Sequence, residues 1–531
     1  MMSRQISYFS MEIGVEPEIK TYSGGLGVLA GDTVKAAADH DLDFTAVTLL
    51  YRKGFFTQEI EEGRQKQKPQ QWDYEDILDD TGEKVSITIR GTEVQAKIWS
   101  YKVEGVKGQA QILFLDTGLE SNDQRDQELT SRLYMGSQET RLCQEALLGI
   151  AGARALEKLG KEPDYYHMNE GHSALLSTEV TDRKKIFTTH TPVPAGHDTF
   201  DAELVKKVLP EHIVSKIELG QELNMTELAL QNSSYNNAVS DRHAEVTRDM
   251  FPGYSFDAVT NGIHSRTWAS KPFKDLFSDN IHRWRLDPAR LTKIAGIKDN
   301  KLWDAKKQAK KGLINYIHEE EGKELDVDKF TIGYARRSTS YKRPTLIFKD
   351  LKRLDAIAGE YGGLQIIFAG KAHPDDTRGK ELINQVIEYS KMLENVELAF
   401  IEDYGMEEAL KMVSGVDLWL NNPERGKEAS GTSGMKAALN GTPQLSTPDG
   451  WWLEGHIEEV TGWVIGENYV EGEDEDAIDS ESIYRKLDSI LSVYHNEREN
   501  WIKIMKNCIA LNASHFNTDR MLKEYLARAY N

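Results

Sequence analysis

A regular alternation of short apolar runs with helical patterns is the sequence feature that most constrains the fold of this chain. Helical stretches such as Gln138–Gly160, Thr345–Glu360 and Met406–Ser414 separate the apolar runs. The runs predict strands at Phe44–Leu50, Ala96–Tyr101, Ala110–Asp116, Tyr165–His167, Lys185–Thr188, Phe330–Ala335, Gln365–Ala369, Val396–Phe400, Val416–Asn421 and Pro443–Ser446. Strand–helix alternation on this scale indicates parallel sheets covered by helices. We therefore predict an α/β fold made of doubly wound domains.

The length of 531 residues suits two large α/β domains, although three domains of ~150 residues would also fit. The stretch Thr267–Asp299 is irregular and charged, which indicates a domain boundary. We predict an N-terminal Rossmann-like domain over residues 1–270 and a C-terminal Rossmann-like domain over residues 271–510. A final helical segment, residues 511–531, would then be placed to pack back on the N-terminal domain.

Composition excludes several classes of protein. Lys and Arg number 65 against 86 Asp and Glu, and a net charge of −21 disfavours nucleic acid as a partner, because phosphate contacts need a surplus of cations. No apolar run approaches about 18 residues, so we expect no membrane span. Two distant cysteines, Cys143 and Cys508, form neither a disulfide framework nor a thiolate zinc site, which suits the cytoplasm. An acidic chain that handles anions must gather its positive charge locally.

Two strand-end loops in different halves of the chain carry groups suited to phosphate. In Ser23–Gly27, three glycines precede a helical stretch, so main-chain amides can approach an anion, although packing alone would also explain the glycines. In Arg336–Arg343, four cations follow the strand Phe330–Ala335, where an anion or carboxylates must compensate them. Pro344 is then expected to open an amphipathic helix.

A third loop, Glu428–Gly441, contains a short helix that we expect to begin after Thr432 and to stop at Asn440-Gly441. Amides at Gly431–Gly434 would form another anion site, with Lys436 about one turn into the helix. Lys436 is either a simple counter-charge or a lysine that forms a Schiff base with a cofactor whose phosphate sits at the helix start.

Together with other segments in the same order, these loops resemble the α-glucan phosphorylases in their shorter bacterial and archaeal form. The matching segments are YFSMEIG at Tyr8–Gly14, YSGGLGVLAGD at Tyr22–Asp32, HMNEGHSA at His167–Ala174, FTTHTPVPAGHD at Phe187–Asp198, TNGIHSRTW at Thr260–Trp268, ARRSTSYKR at Ala335–Arg343, EASGTSGMKAALNG at Glu428–Gly441 and DGWWLEG at Asp449–Gly455. The resemblance implies a GT-B fold, with two Rossmann-like domains facing across a cleft. It also implies reversible phosphorolysis, by inorganic phosphate, of terminal α-1,4-linked glucosyl units of a glucan or maltodextrin, giving glucose 1-phosphate with retention.

The resemblance also implies roles for single residues. Pyridoxal 5'-phosphate would be held on Lys436, and Arg337 and Lys342 match positions that bind substrate phosphate. The carbonyl group of His190 would help to stabilise the cationic transition state. The other cofactor positions are Arg336, Gly431, Thr432 and Gly25, and the positions implied for substrate are Leu26, Glu170, His190, Asn261, Tyr341, Glu428, Ser430 and Gly431. Arg336 stands where many members of the family have a lysine, and Glu170 where many have an aspartate.

Other interpretations stay open at this point. A nucleotide-sugar glucosyltransferase similar to bacterial glycogen synthases would also use Arg337 and Lys342, but such enzymes carry a lysine where this chain has Tyr22, and they do not need Lys436. A catalytically silent glucan-binding protein would keep these cations without using them. We expect no metal site, because the spacing of His167 and His172 fits one helical face poorly. The sequence does not determine the oligomeric state, and a homodimer is one option.

Overall fold

The computed structural model describes residues 4–134 and 136–531. These divide into two compact units. Unit 1 consists of the described residues of Met1–Phe56, Pro69–Thr260 and Met521–Asn531, and unit 2 consists of Thr57–Lys68 and Asn261–Arg520. Each unit contains its own sheet, which is wholly parallel in unit 2 and mostly parallel in unit 1.

Unit 1 is built on a nine-stranded sheet in the order β13-β12-β9-β8-β1-β2-β7-β6-β5. The strands up to residue 258, including a hairpin and a ribbon outside this sheet, are β1 (Gln5–Ser10), β2 (Asp43–Leu49), β3 (Thr57–Glu61), β4 (Arg64–Lys68), β5 (Asp79–Ile89), β6 (Thr92–Glu104), β7 (Gln109–Asp116), β8 (Tyr165–Asn169), β9 (Lys184–Thr188), β10 (Thr199–Asp201), β11 (Glu222–Asn224), β12 (Tyr235–Ala238) and β13 (Asp257–Ala258). The α-helices in the same part of the chain are Gly25–Asp39, Tyr74–Ile77, Gln124–Gln127, Gln138–Ala146, Gly152–Lys158, Ala202–Val208, Glu211–Val214, Met225–Asn232 and Asp241–Met250. The predicted helix Gln138–Gly160 therefore exists, with a π-helical turn at Leu147–Ala151.

Both faces of this sheet are buried, as a doubly wound sheet requires. Successive residues of β1 point to opposite faces, so Phe9 and Met11 belong to one apolar cluster while Ile6 and Tyr8 belong to another. The C-terminal residues Met521, Tyr525 and Tyr530 join the second cluster. One edge differs from the prediction, because β6 runs antiparallel to both β5 and β7, and a purely parallel sheet was expected.

Unit 2 is built on a six-stranded, wholly parallel sheet in the order β16-β15-β14-β17-β18-β19. Its strands are β14 (Phe330–Ala335), β15 (Leu364–Ala369), β16 (Val396–Ile401), β17 (Leu418–Asn421), β18 (Gln444–Ser446) and β19 (Gly462–Val464). The helices of the rest of the chain are Ser265–Trp268, Lys271–Asn280, Asp299–Glu321, Leu351–Glu360, Thr377–Ser390, Met406–Gly415, Ser433–Leu439, Trp452–Gly455, Glu475–Asn496, Arg498–Asn507 and Thr518–Arg528. This is the strand order of a Rossmann sheet, and the α/β prediction is confirmed.

One predicted helix starts later than its sequence suggests. A 3₁₀ turn covers Leu346–Phe348, and the α-helix begins at Leu351 instead of Pro344. Asp350 caps this helix, because its Oδ1 accepts the main-chain N–H of Arg353 at 3.0 Å. Arg343, with φ of 51°, is in the left-handed conformation and ends the short 3₁₀ turn Ser340–Lys342.

Candidate functional site

The cationic loop of unit 2 follows β14, and the segment that contains Glu428 follows β17. These two strands are neighbours at the point where the strand order reverses. In open α/β sheets, the loops that leave such a point at the carboxyl ends of the strands form the ligand-binding crevice. Two of the three loops identified from sequence therefore lie at the expected place in the sheet.

Glu428 is the centre of an ion-pair cluster between these loops. One oxygen, Oε2, accepts hydrogen bonds from Arg336 and, at 2.5 Å, from Nζ of Lys342. The three side chains are 6% to 10% exposed. Burial by itself would raise the pKa of Glu428, but Arg336 and Lys342 outweigh it and lower the pKa to about 2. Two cations share one carboxylate, which leaves the cluster with an unbalanced positive charge.

Two guanidinium groups of this loop have hydrogen-bonding capacity that the protein does not use. Nη1 of Arg336 is buried and has no partner among the described residues. The neighbouring Arg337 is exposed, and no ion pair or hydrogen bond of its side chain occurs in the part of the chain that the structure describes. An isolated buried donor is costly unless a ligand meets it.

Arg343 differs from the other cations of the loop. Its Nη2 donates to Oδ2 of Asp479 at 2.6 Å and its Nη1 donates to Oδ1 of Asp476 at 3.0 Å. Its remaining donors reach the carbonyl groups of Asn422 and Pro423. Carboxylates of the protein therefore compensate Arg343, and this cation is structural. The sequence alone left open whether an anion or carboxylates compensate the four cations, and the structure shows carboxylates for three of them.

Lys436 lies on the short helix Ser433–Leu439 and is 7% exposed. Its Nζ lies 3.7 Å from the centre of the Trp268 ring. Asn440, which ends this helix, holds the Trp268 segment by donating to the Trp268 carbonyl at 2.8 Å and accepting from the Ser270 amide at 2.9 Å. Thr432 is the N-cap residue, as the sequence predicts, although its side chain makes no capping hydrogen bond.

Polar atoms close to the start of this helix also lack partners. A Cβ on Gly434 would lie 1.6 Å from Oε1 of Gln444 and 2.9 Å from the Trp451 ring, so a larger residue there would have to displace the Gln444 side chain. Both polar atoms of the Gln444 amide are buried without a partner among the described residues. Like Nη1 of Arg336, these buried atoms need hydrogen-bond partners that the described residues do not supply.

Asp449 fixes the segment that carries Glu428. Its Oδ2 accepts the amide of Glu428 and its Oδ1 accepts the amide of Gly450, both at 2.9 Å. Burial raises the pKa of Asp449 to about 6, against the effect of these two amides. Gly431 has φ of 75°, a conformation that favours glycine. The sequence analysis did not single out Asp449, which stood only within the DGWWLEG motif.

The other predicted residues of unit 2 lie in different surroundings. Tyr341 is half-buried, with Nζ of Lys342 4.6 Å from its ring centre. Oγ of Ser430 donates to the carbonyl of Gly431 at 3.3 Å. Asn261 is buried and its Oδ1 has no partner among the described residues.

In unit 1, the glycine loop holds a carboxylate of the protein itself. Oε2 of Glu12 accepts the amide of Ser23 at 2.6 Å and that of Gly24 at 3.2 Å. Tyr134 donates to the other oxygen at 3.1 Å. Glu12 follows β1, and no sequence motif indicates its role, because its partners lie more than ten residues further along the chain. The amides left for a ligand therefore begin at Gly25.

The glycines of this loop and of the helix Gly25–Asp39 that follows it differ in why glycine is needed. A Cβ on Gly27 would lie 2.8 Å from Oε2 of Glu12, and one on Gly31 would lie 1.9 Å from the carbonyl oxygen of Gly14. Packing therefore requires both. Gly24 and Gly25 would meet nothing within 4 Å, and neither has a positive φ. Neither steric contact nor backbone conformation therefore requires glycine at these two positions.

Glu170 and His190 follow β8 and β9, at the carboxyl edge of the unit 1 sheet. Oε2 of Glu170 accepts the amide of His190 at 2.6 Å and the hydroxyl of Thr191 at 3.0 Å. Burial raises the pKa of Glu170 despite these donors. His190 lies 2.7 Å from Oδ1 of Asn169 through Nε2, and burial lowers the pKa of its imidazole to about 3, which keeps the ring neutral.

Comparison with known proteins assigns the family. The family model described as carbohydrate phosphorylase matches residues 214–462. The chain is 38% identical to the maltodextrin phosphorylase of Thermococcus litoralis, over 99% of this chain and 70% of that protein. It is 33% identical to the glycogen phosphorylase of Aquifex aeolicus, over 99% and 86% respectively. This chain belongs to the carbohydrate phosphorylase family. It is therefore a glycosyltransferase with a GT-B type fold, as the resemblance implied.

Two further matches help to place this phosphorylase. A family model described as starch synthase catalytic domain matches residues 6–261. An uncharacterized protein of Methanocaldococcus jannaschii is 30% identical over 99% of both chains. Because the two phosphorylase relatives align with nearly the whole chain, the match of residues 6–261 reflects the shared fold and does not favour the synthase function.

The structure of the phosphorylase brings some predicted residues together and leaves others apart. Arg336, Lys342 and Glu428 form one cluster, and Glu170 contacts the main chain of His190. Lys436 contacts Trp268, the last residue of the matching segment Thr260–Trp268, for which the resemblance implied no role. No group of three or more metal-ligating side chains occurs in residues 4–134 and 136–531, and no described helix is long and apolar enough to span a membrane.

Proposed function

We propose that this phosphorylase catalyses the reversible phosphorolysis of terminal α-1,4-linked glucosyl units of a glucan, giving glucose 1-phosphate with retention, and that it uses pyridoxal 5'-phosphate. The relatives from Thermococcus litoralis and Aquifex aeolicus are named maltodextrin and glycogen phosphorylase. The observation that carries the proposal is the buried Lys436 on a helix whose surroundings hold unpartnered polar atoms.

The residues of unit 2 fit this cofactor. Lys436 is a buried amine beside an aromatic ring, and such a site suits covalent attachment of a planar aldehyde cofactor. We assign Arg336, Gly431 and Thr432 to its phosphate group, because Nη1 of Arg336 is buried and needs an acceptor, and because Gly431 and Thr432 stand directly before the helix that carries Lys436. When bound, pyridoxal 5'-phosphate would supply a phosphate group able to exchange a proton with the substrate phosphate.

Positive charge for inorganic phosphate comes from Arg337 and Lys342. Arg337 is exposed and uncommitted, and Lys342 shares Glu428 with Arg336. A buried cluster in which cations outnumber carboxylates attracts an anion more strongly than the same charges would in bulk water. We assign Gly25 and Leu26 to the same anion chemistry through their main-chain amides, since Ser23 and Gly24 are already bonded to Glu12.

We assign the glucosyl hydroxyls to polar side chains at the strand ends of each unit. Glu428 is ionised at neutral pH and retains an oxygen, Oε1, for which no hydrogen bond is described. Asn261 carries a buried, unpartnered Oδ1. The further positions in this assignment are Glu170, His190, Tyr341, Ser430 and Gly431. A neutral glucan needs no electrostatic steering, which agrees with a net charge of −21.

We also propose a cytoplasmic location. Cys143 and Cys508 are both unpaired and buried, as expected where thiols stay reduced. Phosphorolysis conserves the glycosidic bond energy in a phosphate ester, which is useful inside a cell.

The test is an assay of the purified protein with maltodextrin and inorganic phosphate. We expect glucose 1-phosphate, together with the absorption band of bound pyridoxal 5'-phosphate. Glucan extension from a nucleotide sugar, with no dependence on inorganic phosphate, would instead establish the synthase. If the cofactor-loaded protein showed no turnover at all, the remaining interpretation would be a catalytically silent glucan-binding protein.

A further inference from the structure

The hairpin β3–β4 belongs to unit 2, although the chain on both sides of it belongs to unit 1. All of β4 except Gln65 is exposed, including its three cations, and β3 is partly exposed. Gln58 and Gln65 are exceptions, with 1% and 6% of their surfaces exposed. Two buried side-chain amides on a hairpin whose other strand residues are exposed or half-buried require an explanation, because burying an amide is unfavourable unless it is fully hydrogen-bonded.

The two amides form hydrogen bonds with each other and with two loops of unit 2, which follow β15 and β16. Nε2 of Gln58 donates to Oε1 of Gln65 at 2.8 Å and to the carbonyl of Gly370 at 3.0 Å. Gln65 donates to the carbonyl of Ala372 and accepts its amide, both at 2.9 Å. Oε1 of Gln58 accepts the amide of Asp403 at 3.1 Å. Two side chains from the hairpin therefore hold the main chain at Gly370 and Ala372.

This same loop supports the main chain around Arg337. The amide of Arg336 donates to the carbonyl of Ala369 at 3.3 Å, and that of Ser338 donates to the carbonyl of Lys371 at 2.9 Å. Gly370, with φ of 134°, lies so close that a Cβ there would be 1.9 Å from the carbonyl oxygen of Arg336. Arg337 is thus held between two residues whose main chains rest on the loop that the hairpin fixes.

We propose that Gln58 and Gln65 are positioning residues for inorganic phosphate: they hold Gly370–Ala372, which in turn sets the place of Arg337. The inference rests on the proposed role of Arg337 in phosphate binding. A charged hydrogen bond to phosphate depends steeply on donor position, so a loosened loop weakens phosphate binding without altering groups that touch the glucan.

The test compares Gln65→Met and Gln58→Met with Gln67→Met. Methionine preserves the length and volume of the side chain but removes its hydrogen bonds. Gln67 is on the same strand and is exposed, so it is the matched control. We expect the first two variants to raise KM for phosphate about tenfold, with KM for maltodextrin changed by less than about twofold, and Gln67→Met to match the wild type. Because about 1.4 kcal/mol corresponds to a factor of ten, such a change is within the effect of one displaced charged contact.

The dissociation constant of inorganic phosphate, measured by calorimetry on the cofactor-loaded protein, provides a second readout that needs no turnover. An increase of similar size in both buried variants supports the inference. Unchanged phosphate affinity in Gln65→Met and Gln58→Met overturns it, and so does a parallel rise of KM for phosphate and for maltodextrin. A wild-type protein that binds phosphate but forms no glucose 1-phosphate would refute the proposed function, while the calorimetric comparison would still decide the role of the hairpin.

Discussion

The Nζ atom of Lys436 lies 3.7 Å from the centre of the Trp268 ring, in a buried position on a helix of seven residues. The two residues are 168 positions apart, and Asn440 holds them in place through hydrogen bonds to the Trp268 carbonyl and the Ser270 amide. The amine is therefore fixed against a flat surface, which limits the directions from which a planar group can reach it.

Replacement of Lys436 is expected to abolish cofactor attachment. In Lys436→Ala we expect loss of the absorption band of bound cofactor and at least about a thousandfold loss of phosphorolysis, since the lysine near the proposed cofactor residue Arg336, Lys342, is ion-paired with Glu428. Lys436→Arg keeps the charge but cannot form the covalent link, so it should be equally inactive. Full turnover in either variant would contradict the assignment.

Arg337 and Arg343 are six residues apart in one loop, and we expect opposite effects from their replacement. Arg337→Ala removes an uncommitted guanidinium, so KM for phosphate should rise about 10- to 100-fold while the melting temperature stays close to that of the wild type. Steady-state kinetics over a range of phosphate concentrations provides the measurement. An unchanged phosphate dependence would show that the anion site lies elsewhere.

Arg343→Ala is expected to destabilise the protein. The side chain of Arg343 is 5% exposed and that of its partner Asp479 is fully buried, so the variant leaves a buried carboxylate with less compensation. Removal of one partner from such a pair typically costs about 3–5 kcal/mol. Arg425 also donates to Asp479, at 2.8 Å, and would still compensate part of its charge, so we expect a loss at the lower end of this range. Chemical denaturation measures it, and a loss below about 1 kcal/mol would contradict the structural role.

The raised pKa of Asp449 predicts how the stability of the protein depends on pH. Its pKa in the folded protein, about 6, lies above the ordinary value of 3.8. Its contribution to the free energy of unfolding is therefore complete below about pH 4 and is lost as the pH rises through about 6. The free energy of unfolding of the wild type, relative to Asp449→Asn, should therefore fall between pH 4 and pH 6 and become constant above. Urea denaturation of both proteins across this range tests the sign. A difference that grows with pH would contradict it.

Gly25 and Gly31 provide a matched pair on one helix. Gly25→Ala should leave the unfolding free energy unchanged or raise it by up to about 1 kcal/mol, because a Cβ there meets nothing within 4 Å. Its phosphorolysis should nevertheless fall about tenfold or more, because a methyl group obstructs the approach of a ligand to the amides. Gly31→Ala should instead lose stability, since its Cβ would lie 1.9 Å from the carbonyl oxygen of Gly14. Wild-type activity in Gly25→Ala would exclude the main-chain anion site.

Much of the fold follows from local pattern. The strand Phe330–Ala335 coincides with its prediction, because burial on both faces of the sheet leaves a continuous apolar run. The predicted helix Met406–Ser414 differs from the observed helix by one residue. The antiparallel edge formed by β5 and β6 was not predicted, since strand direction depends on long-range pairing that leaves little trace in composition.

The candidate site shows the same division. The sequence predicted the three loops and the residue types in them, because anion-binding loops have a recognisable composition. It could not predict that Glu428 would pair with Arg336 across 92 positions, or that Glu12 would occupy two amides of the glycine loop. Each of these contacts depends on which strand ends become neighbours.

By itself, then, the sequence determined the α/β class, the ordered family motifs and the small set of cations set against a net charge of −21, because each is a local property of the chain. The tertiary structure alone decided which cations remain for a ligand. It assigned Arg343 to Asp476 and Asp479, gave Arg336 and Lys342 one shared carboxylate, and left Arg337 without a partner among the described residues. It also brought Gln58 and Gln65 to a loop about 300 positions away. The physical reason is that the free energy of a buried charge or amide depends on the groups around it in three dimensions. Those groups come from distant segments, which become neighbours only when the sheets assemble.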